Sequence, residues 1–382
     1  MHNCNNKKDL HASKSRQEQK VAELLFQQQD YVCELKTTMR YRGDPVLSSI
    51  LLKMRTVAED RSDLQLTPDE WQALLKTDVN HGASLEGTEL WYHAAYSWSQ
   101  VCMAQWIRSV HSAAHHKETL FVMSARDYVA NVATRDLRAV RDALLHVPNM
   151  NTTGRLPSVA LLHRKMAIRL TMTICPIQAP VDSQGVIEHI ELDPADYLRW
   201  QRNKNQAFFV LHEFPTLLVK MDGSTLDTGL GPGIIAVEAK LCEPAFTVQL
   251  EIAAESASAG EQAAKKSIDV KARRKNLPIT IILASTLYTL QGTTAVPGLI
   301  YHFKVPKRLT ASMKWIATYM ALSRVRSLKE FRAIGLTEDI RNIINDGPPE
   351  GPLTNFMTMF ETNIQETEKR IKQLIQELGW HE

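Results

Sequence analysis

One stretch limits the folds open to this chain more than any other. Residues 277–284, Leu-Pro-Ile-Thr-Ile-Ile-Leu-Ala, form a nearly unbroken apolar run that empties into a polar turn. Such a run, bounded by turn residues, reads as a buried β-strand. Thr286 is placed to cap the turn, and Gly292 permits the left-handed residue that ends it. Backbone N–H groups left free there suit a phosphate oxygen. Further on, a helix carries Met313, Ile316 and Met320 on one apolar face and ends in Arg324 and Arg326. A planar, permanently charged guanidinium on a rigid helix end makes a phosphate clamp. Taken singly, each piece also describes an ordinary buried element with surface arginines.

Together the two pieces resemble motifs V and VI of the Pif-one and RecD group of superfamily-one DNA helicases. Ala284, Thr286, Gln291, Gly292 and Thr294 match the first pattern, and Tyr319, Ala321, Leu322, Ser323 and Arg324 the second. Tyr288, Thr289 and Leu290 stand where the family has His, Lys and Ser. Residues 35–55 resemble motif IV, with Arg40 in the place of the motif arginine and Tyr41 where Gln is usual. In residues 156–190, Leu156-Pro157, Met166, Leu170 and Gly185 match the family, whereas Lys165 replaces a glycine and Val181-Asp182 replace Asn-Gly. Residues 271–278 are similar to the stretch that precedes motif V, with Asn276 where Gln is usual.

The resemblance implies an α/β chain: the second RecA-like domain of a P-loop NTPase, lacking the P-loop itself and interrupted by a small, mostly-β SH3-like insertion. The expected divisions are a polar tail over 1–30, the first part of the RecA-like domain over 31–160, the insertion over 161–275, the second part over 276–345, and a C-terminal helix over 346–382. By resemblance the activity is that of an ATP-dependent, 5′-to-3′ DNA helicase, with Arg324 as arginine finger and Arg40 as a second catalytic arginine facing the nucleotide phosphates. Gln291, Gly292 and Thr294 would meet the nucleotide, and Thr286 a DNA phosphate. Arg273, Arg274 and Lys275, part of a basic cluster with Lys265, Lys266 and Lys271, are the further DNA contacts expected, with a solvated loop as the plainer reading.

A motor of this kind needs a first half with a G-x-x-x-x-G-K-[ST] loop and an acidic pair for magnesium. Neither pattern occurs in these 382 residues. ATP and Mg2+ are therefore expected in a complete enzyme and not in this chain alone. The partners expected are single-stranded DNA and a first RecA-like domain, in cis or in trans. Two other readings stand beside the helicase: a non-catalytic single-strand-binding module, and a decayed remnant derived from a mobile element.

Net charge is only +3, so composition does not announce nucleic acid and a local surface would have to bind it. Five scattered cysteines without C-x-x-C spacing argue for a reducing compartment, nuclear or cytoplasmic, and against disulfides or a zinc module. No apolar run approaches membrane-span length. Thr67-Pro68-Asp69-Glu70 is a capping box that starts a helix. Trp91, Trp98 and Trp106 are expected in the core, and His111, His115 and His116 as solvated helix residues, so no metal site is expected. Residues 119–124 read as a strand leading into a helix from Arg126, a unit that fits a RecA-like sheet. Short β-like runs between 208 and 252 suggest a small barrel, 253–264 a flexible loop, and 354–378 a charged helix beyond a proline-rich break.

Overall fold

The structure, a computed structural model, describes residues 40–378 apart from 59, 131, 134, 135, 148, 254–264, 305 and 307. The polar tail, the part of the motif IV stretch before Arg40 and the expected loop at 254–264 lie outside the described residues.

Helix α1 (Pro45–Arg55) starts where Asp44 accepts a hydrogen bond from the Leu47 N–H and proline takes the first turn. Helix α2 (Pro68–Leu75) opens on the expected box: Thr67 and Glu70 each accept from the other's backbone N–H. Strand β1 (Tyr92–Ala95) runs into the long helix α3 (Trp98–His116). There follow β2 (Leu120–Ser124), β3 (Arg126–Ala130), α4 (Leu137–Leu145), β4 (Val159–Leu162), β5 (Ala167–Leu170), β6 (Gln184–Glu191) and α5 (Pro194–Gln201). Next come β7 (Phe208–Val210), β8 (Thr216–Met221), β9 (Ile234–Val237), β10 (Lys240–Leu241), β11 (Phe246–Ala253), β12 (Lys265–Asn276) and β13 (Ile279–Ile281). The chain closes with β14 (Ala284–Thr286), β15 (Leu299–His302), α6 (Ala311–Leu322), β16 (Phe331–Ile334), α7 (Glu338–Asp346) and α8 (Pro352–Leu378).

The organising layer is a parallel sheet in the order β14-β1-β15-β16. Parallel neighbours need crossovers, and α6 supplies the one between β15 and β16. Leu299, Tyr301, Phe331 and Ala333 of the sheet close one core with Leu47, Ile50, Met54, Trp315, Leu322 and Ile340 from α1, α6 and α7. Fully burying each such aliphatic side chain contributes about 1.5–3 kcal/mol. The fold is thus mixed α/β with a parallel sheet, as expected.

Several strands before residue 161 belong to other sheets. Among the described residues up to 160, β1 is the one strand that joins the parallel sheet, with a single parallel bridge from Asp78 to Ala333 beside it. β2 pairs with β4 and β7 in a separate three-stranded sheet, and β3 pairs with β12. The helix expected from Arg126 begins only at Leu137, because 126–130 is drawn into an antiparallel ladder on β12. A strand-then-helix signal is local and does not say which strand will be the partner.

The 277–284 run also divides. β13 ends an antiparallel sheet, β13-β5-β6-β8-β9, and β14 edges the parallel one. The Ile282 N–H donates to the Ala167 carbonyl on one side, while the Leu283 carbonyl accepts from the His93 N–H on the other. The switch therefore falls between two successive apolar residues that look alike in sequence. The five-stranded sheet is open: β9 and β13 stand at its ends and do not pair among the described residues. Helix α8 runs 27 residues, with Ile371 and Leu374 exposed. No helix among the described residues is long and apolar enough to cross a membrane.

Candidate arginine site and strand cleft

Helix α6 is fixed before it presents anything. Thr310 caps its first turn, the Trp315 indole N–H donates to the Met54 carbonyl at 3.2 Å, and Trp315 stacks on Tyr319 with centroids 5.3 Å apart. The helix stops at Ser323, and Arg324 folds back over its last turn. Its Nε donates to the Met320 carbonyl at 3.3 Å and its Nη2 to the Ser323 hydroxyl at 2.9 Å. Arg40 arrives from the other end of the described chain, its Nη1 donating to the Ser323 carbonyl at 2.7 Å. Two cations thus share the negative end of one helix.

Burial, and then the neighbouring Arg40 charge, push the Arg324 guanidinium below its ordinary pKa range. Among the described residues neither Arg40 nor Arg324 has a carboxylate in ion-pair range, whereas exposed Arg326 is held by Glu330 at 2.5 Å. The remaining Arg324 contacts, to the Leu290 and Thr293 carbonyls, are both 3.4 Å and therefore weak. Two like charges beside each other, without a carboxylate partner among the described residues, favour a third, anionic group.

The turn after β14 lies against this pair. Leu287–Leu290 make one 3-10 turn, Gly292 follows at φ 81°, and the Ala295 N–H donates to the Arg324 carbonyl at 2.8 Å. Gln291 and Gly292 are exposed, Thr294 is half-buried, and a Cβ built on Gly292 would meet open space. The structure therefore assembles Arg40, Arg324, Gln291, Gly292 and Thr294 in one place. Thr286 does not cap the turn as expected: no N–H of the turn reaches its side chain, and its hydroxyl lies 2.9 Å from that of Thr289.

Thr286 and Thr289 instead line a cleft of about 250 Å³ between the parallel sheet and the inserted strands. Its walls include Trp98, Asn151, Arg155, Arg169 and Thr171. The Thr171 hydroxyl is buried there without a hydrogen-bond partner among the described residues. Burial lowers the Arg169 pKa from its ordinary value, with Asp182 opposing. Sequence reading passed over Arg155, Arg169 and Thr171, since nothing local marks them. It also placed the tryptophans in the core. Trp98 is half-buried in the cleft wall, Trp106 is exposed, and Trp91 is half-buried, packed on Gly298 and under the Arg332 guanidinium.

The basic run divides by strand parity. Arg274 is fully buried, donating to both Asp127 oxygens at 2.8 Å, to the Leu144 carbonyl and to the Ser158 hydroxyl. It is a structural ion pair and cannot meet DNA. Arg273 and Lys275 point the other way, toward solvent, and no residue of the run lines the Thr286 cleft. Among the described residues no group of three His, Cys, Asp or Glu could hold a metal ion.

No family model matches the chain, and no curated protein matches it. Among solved structures it is similar to the Pif1 helicase from Candida albicans, at 14% identity and a TM-score of 0.46, over 85% of this chain and 60% of that one. It is similar also to Bacteroides Pif1 bound to ssDNA, at 14% identity and a TM-score of 0.48, over 87% of this chain and 57% of that one. The Pif1 helicase from Bacteroides in complex with ADP-AlF3 and ssDNA gives 14% and 0.46, over 87% and 57%. The chain thus spans less than two thirds of the length of these structures, and a likeness this distant assigns no activity.

Proposed function

We propose that the chain is the C-terminal portion of an ATP-dependent DNA helicase of Pif-one type, moving 5′ to 3′. The observation that carries this is the convergence of Arg40 and Arg324, 283 positions separating Arg40 from Ser323, on one helix end beside the Gln291–Thr294 turn. Neither guanidinium has a carboxylate partner among the described residues, and the motif resemblance implies that the same residues face the nucleotide. In this reading Arg324 stabilises charge building on the terminal phosphate, and Arg40 holds a neighbouring oxygen. The Thr286 cleft takes the single strand, with Arg155 as its exposed cation.

The residues present fit only the phosphate end of ATP: two guanidinium groups without a carboxylate partner among the described residues, and an open turn. ATP with Mg2+ would supply the phosphoryl group; the chain's own part is to orient that group and offset its charge. The rest of the nucleotide site belongs to a first RecA-like half carrying the P-loop.

The test is to join such a half to this chain and measure strand-stimulated ATP turnover. The chain alone is expected to be inactive. In the joined protein Arg324→Lys should lose roughly 10³-fold or more, because lysine keeps the charge but not the fork. Turnover by Arg324→Lys at the parent rate would sink the finger assignment. DNA binding without turnover in the joined protein would favour the non-catalytic module, which the missing P-loop motivates.

A further inference from the structure

One exposed face is used by neither the arginine site nor the cleft. Along one edge of β12 the antiparallel partner is β3, with Arg273 opposite Tyr128 and Lys275 opposite Arg126. Along the other edge lie β11 and β10. Alternate residues of these strands face opposite ways. The inner face, with Val270, Ala272 and Leu250, closes a small core on Val140 and Leu144 of α4, and the Arg274–Asp127 pair is locked there. The outer face therefore carries Lys271, Arg273, Lys275, Arg126 and Tyr128, with the carboxylates Asp269 and Glu251 farther along the β11–β12 ladder.

Tyr128 is the aromatic centre of that face and is 53% exposed. Cross-strand geometry puts the Arg273 Cβ about 5 Å from its own, and Lys271 and Lys275 on the diagonals at roughly 7–8 Å. At one end of the row the Phe214 ring carries both the Arg126 guanidinium, 5.1 Å from its centroid, and the Lys275 ammonium, at 5.5 Å. Of the carboxylates near its cations, Glu213 lies 2.8 Å from Arg126 and Glu243 3.5 Å from Arg273. Both are well exposed, so these pairs are weak and exchange readily in water. Lys271 and Lys275 have no carboxylate partner among the described residues.

A row of cations set at strand spacing around an exposed ring fits a chain of phosphates whose unpaired bases can stack. A duplex would engage the cations but leave the tyrosine idle, since its bases are already stacked. We propose that this outer face is a second contact surface for single-stranded nucleic acid, with Tyr128 as the stacking platform and Lys271, Arg273 and Lys275 as the phosphate row. It rests on the helicase reading only for the class of partner, and it shares no residue with the Thr286 cleft.

Fluorescence anisotropy of a labelled oligothymidine over a salt series tests it with the full chain. Tyr128→Ala should weaken single-strand binding roughly five- to a hundred-fold, the worth of one stacked base, while Tyr128→Phe keeps most of it. The same Tyr128→Ala change should leave binding of a duplex oligonucleotide unaltered. The double change Lys271→Ala, Lys275→Ala should reduce the slope of log affinity against log salt by about 1.4, at about 0.7 per phosphate. Because Tyr128 is exposed, its replacement should leave the circular dichroism spectrum and the urea midpoint in place. Parent-like single-strand binding by Tyr128→Ala, with loss in Thr286→Ala and Arg155→Ala, would overturn this surface and leave the cleft. Loss in Tyr128→Ala with none in the cleft variants would uphold the surface and remove the cleft. A chain that binds no oligonucleotide at low salt would end both.

Discussion

Arg273 and Arg274 are neighbours with opposite fates. Arg274 neutralises Asp127 where neither reaches water, so truncating it leaves a buried carboxylate alone. Arg274→Met is expected to cost about 3–5 kcal/mol, read as a lowered urea midpoint, with Asp127→Asn in the same chain recovering part of the loss. Arg273→Ala should stay within about 0.5 kcal/mol of the parent. Equal destabilisation by the two would show that the parity of β12 is not as described. Gly292 is the other single residue on which the site depends. Its φ of 81° strains any other side chain, but nothing lies within 4 Å of a Cβ there. Gly292→Ala should therefore cost only about 1 kcal/mol, from backbone strain rather than collision.

At the level of elements, α1 and the loop after α6 are joined through one carboxylate. Asp44 accepts from the Leu47 N–H with one oxygen and from the Leu328 N–H with the other, at 2.9 and 2.8 Å. The first contact starts α1 and the second ties it to the segment just past Arg324. Arg40 lies four positions before the cap, so the same tie sets where its guanidinium meets Ser323. Asp44→Ala is expected to lower stability by about 1–2 kcal/mol through the lost cap. In a joined, active protein it should also lower turnover more than Thr67→Ala, which removes a comparable cap on α2 far from the arginines. Equal turnover in the two variants would show that the Asp44 tie does not position Arg40.

Across the whole molecule, buried histidines couple folding to pH. His93 is buried in β1, stacked on His302 at 5.1 Å, with neither ring nitrogen hydrogen-bonded among the described residues. Burial, then the charges of His302, Arg108 and His111, push its pKa down to about 3. His163, whose Nδ1–H donates to the Arg164 carbonyl, is pushed down to about 4, mainly by burial. Unfolded, each would titrate near about 6.5. Between there and the folded values the unfolded chain binds protons that the folded chain refuses, so stability is held above pH 6.5 and falls as pH drops through it. By pH 5 each histidine should have cost about 2 kcal/mol. Urea midpoints between pH 7.5 and 5 check this: His93→Leu should flatten the profile, and an unchanged profile would mean that His93 is not buried neutral.

The sequence by itself determined what is local. The box of Thr67 and Glu70, the left-handed Gly292 and the helix that runs up to Ser323-Arg324 are settled by contacts three or four residues apart, and they stand where the residues placed them. The same reading put two arginine-bearing motifs in the chain, but that Arg40 comes to rest on the Ser323 carbonyl was decided by the packing of α1 against α6. The split of 277–284 between two sheets followed from which strand edges, Ala167 or His93, were on offer at Ile282 and Leu283. The basic run, for which a solvated loop was the plainer reading, is part of strand β12, and Lys-Ala-Arg-Arg-Lys-Asn puts an arginine on each of its faces. Which one went inward depended on where Asp127 lay, and Asp127 is brought there by β3, 147 positions away. A strand's period fixes which residues share a face; only the partner that covers one side decides which face is buried.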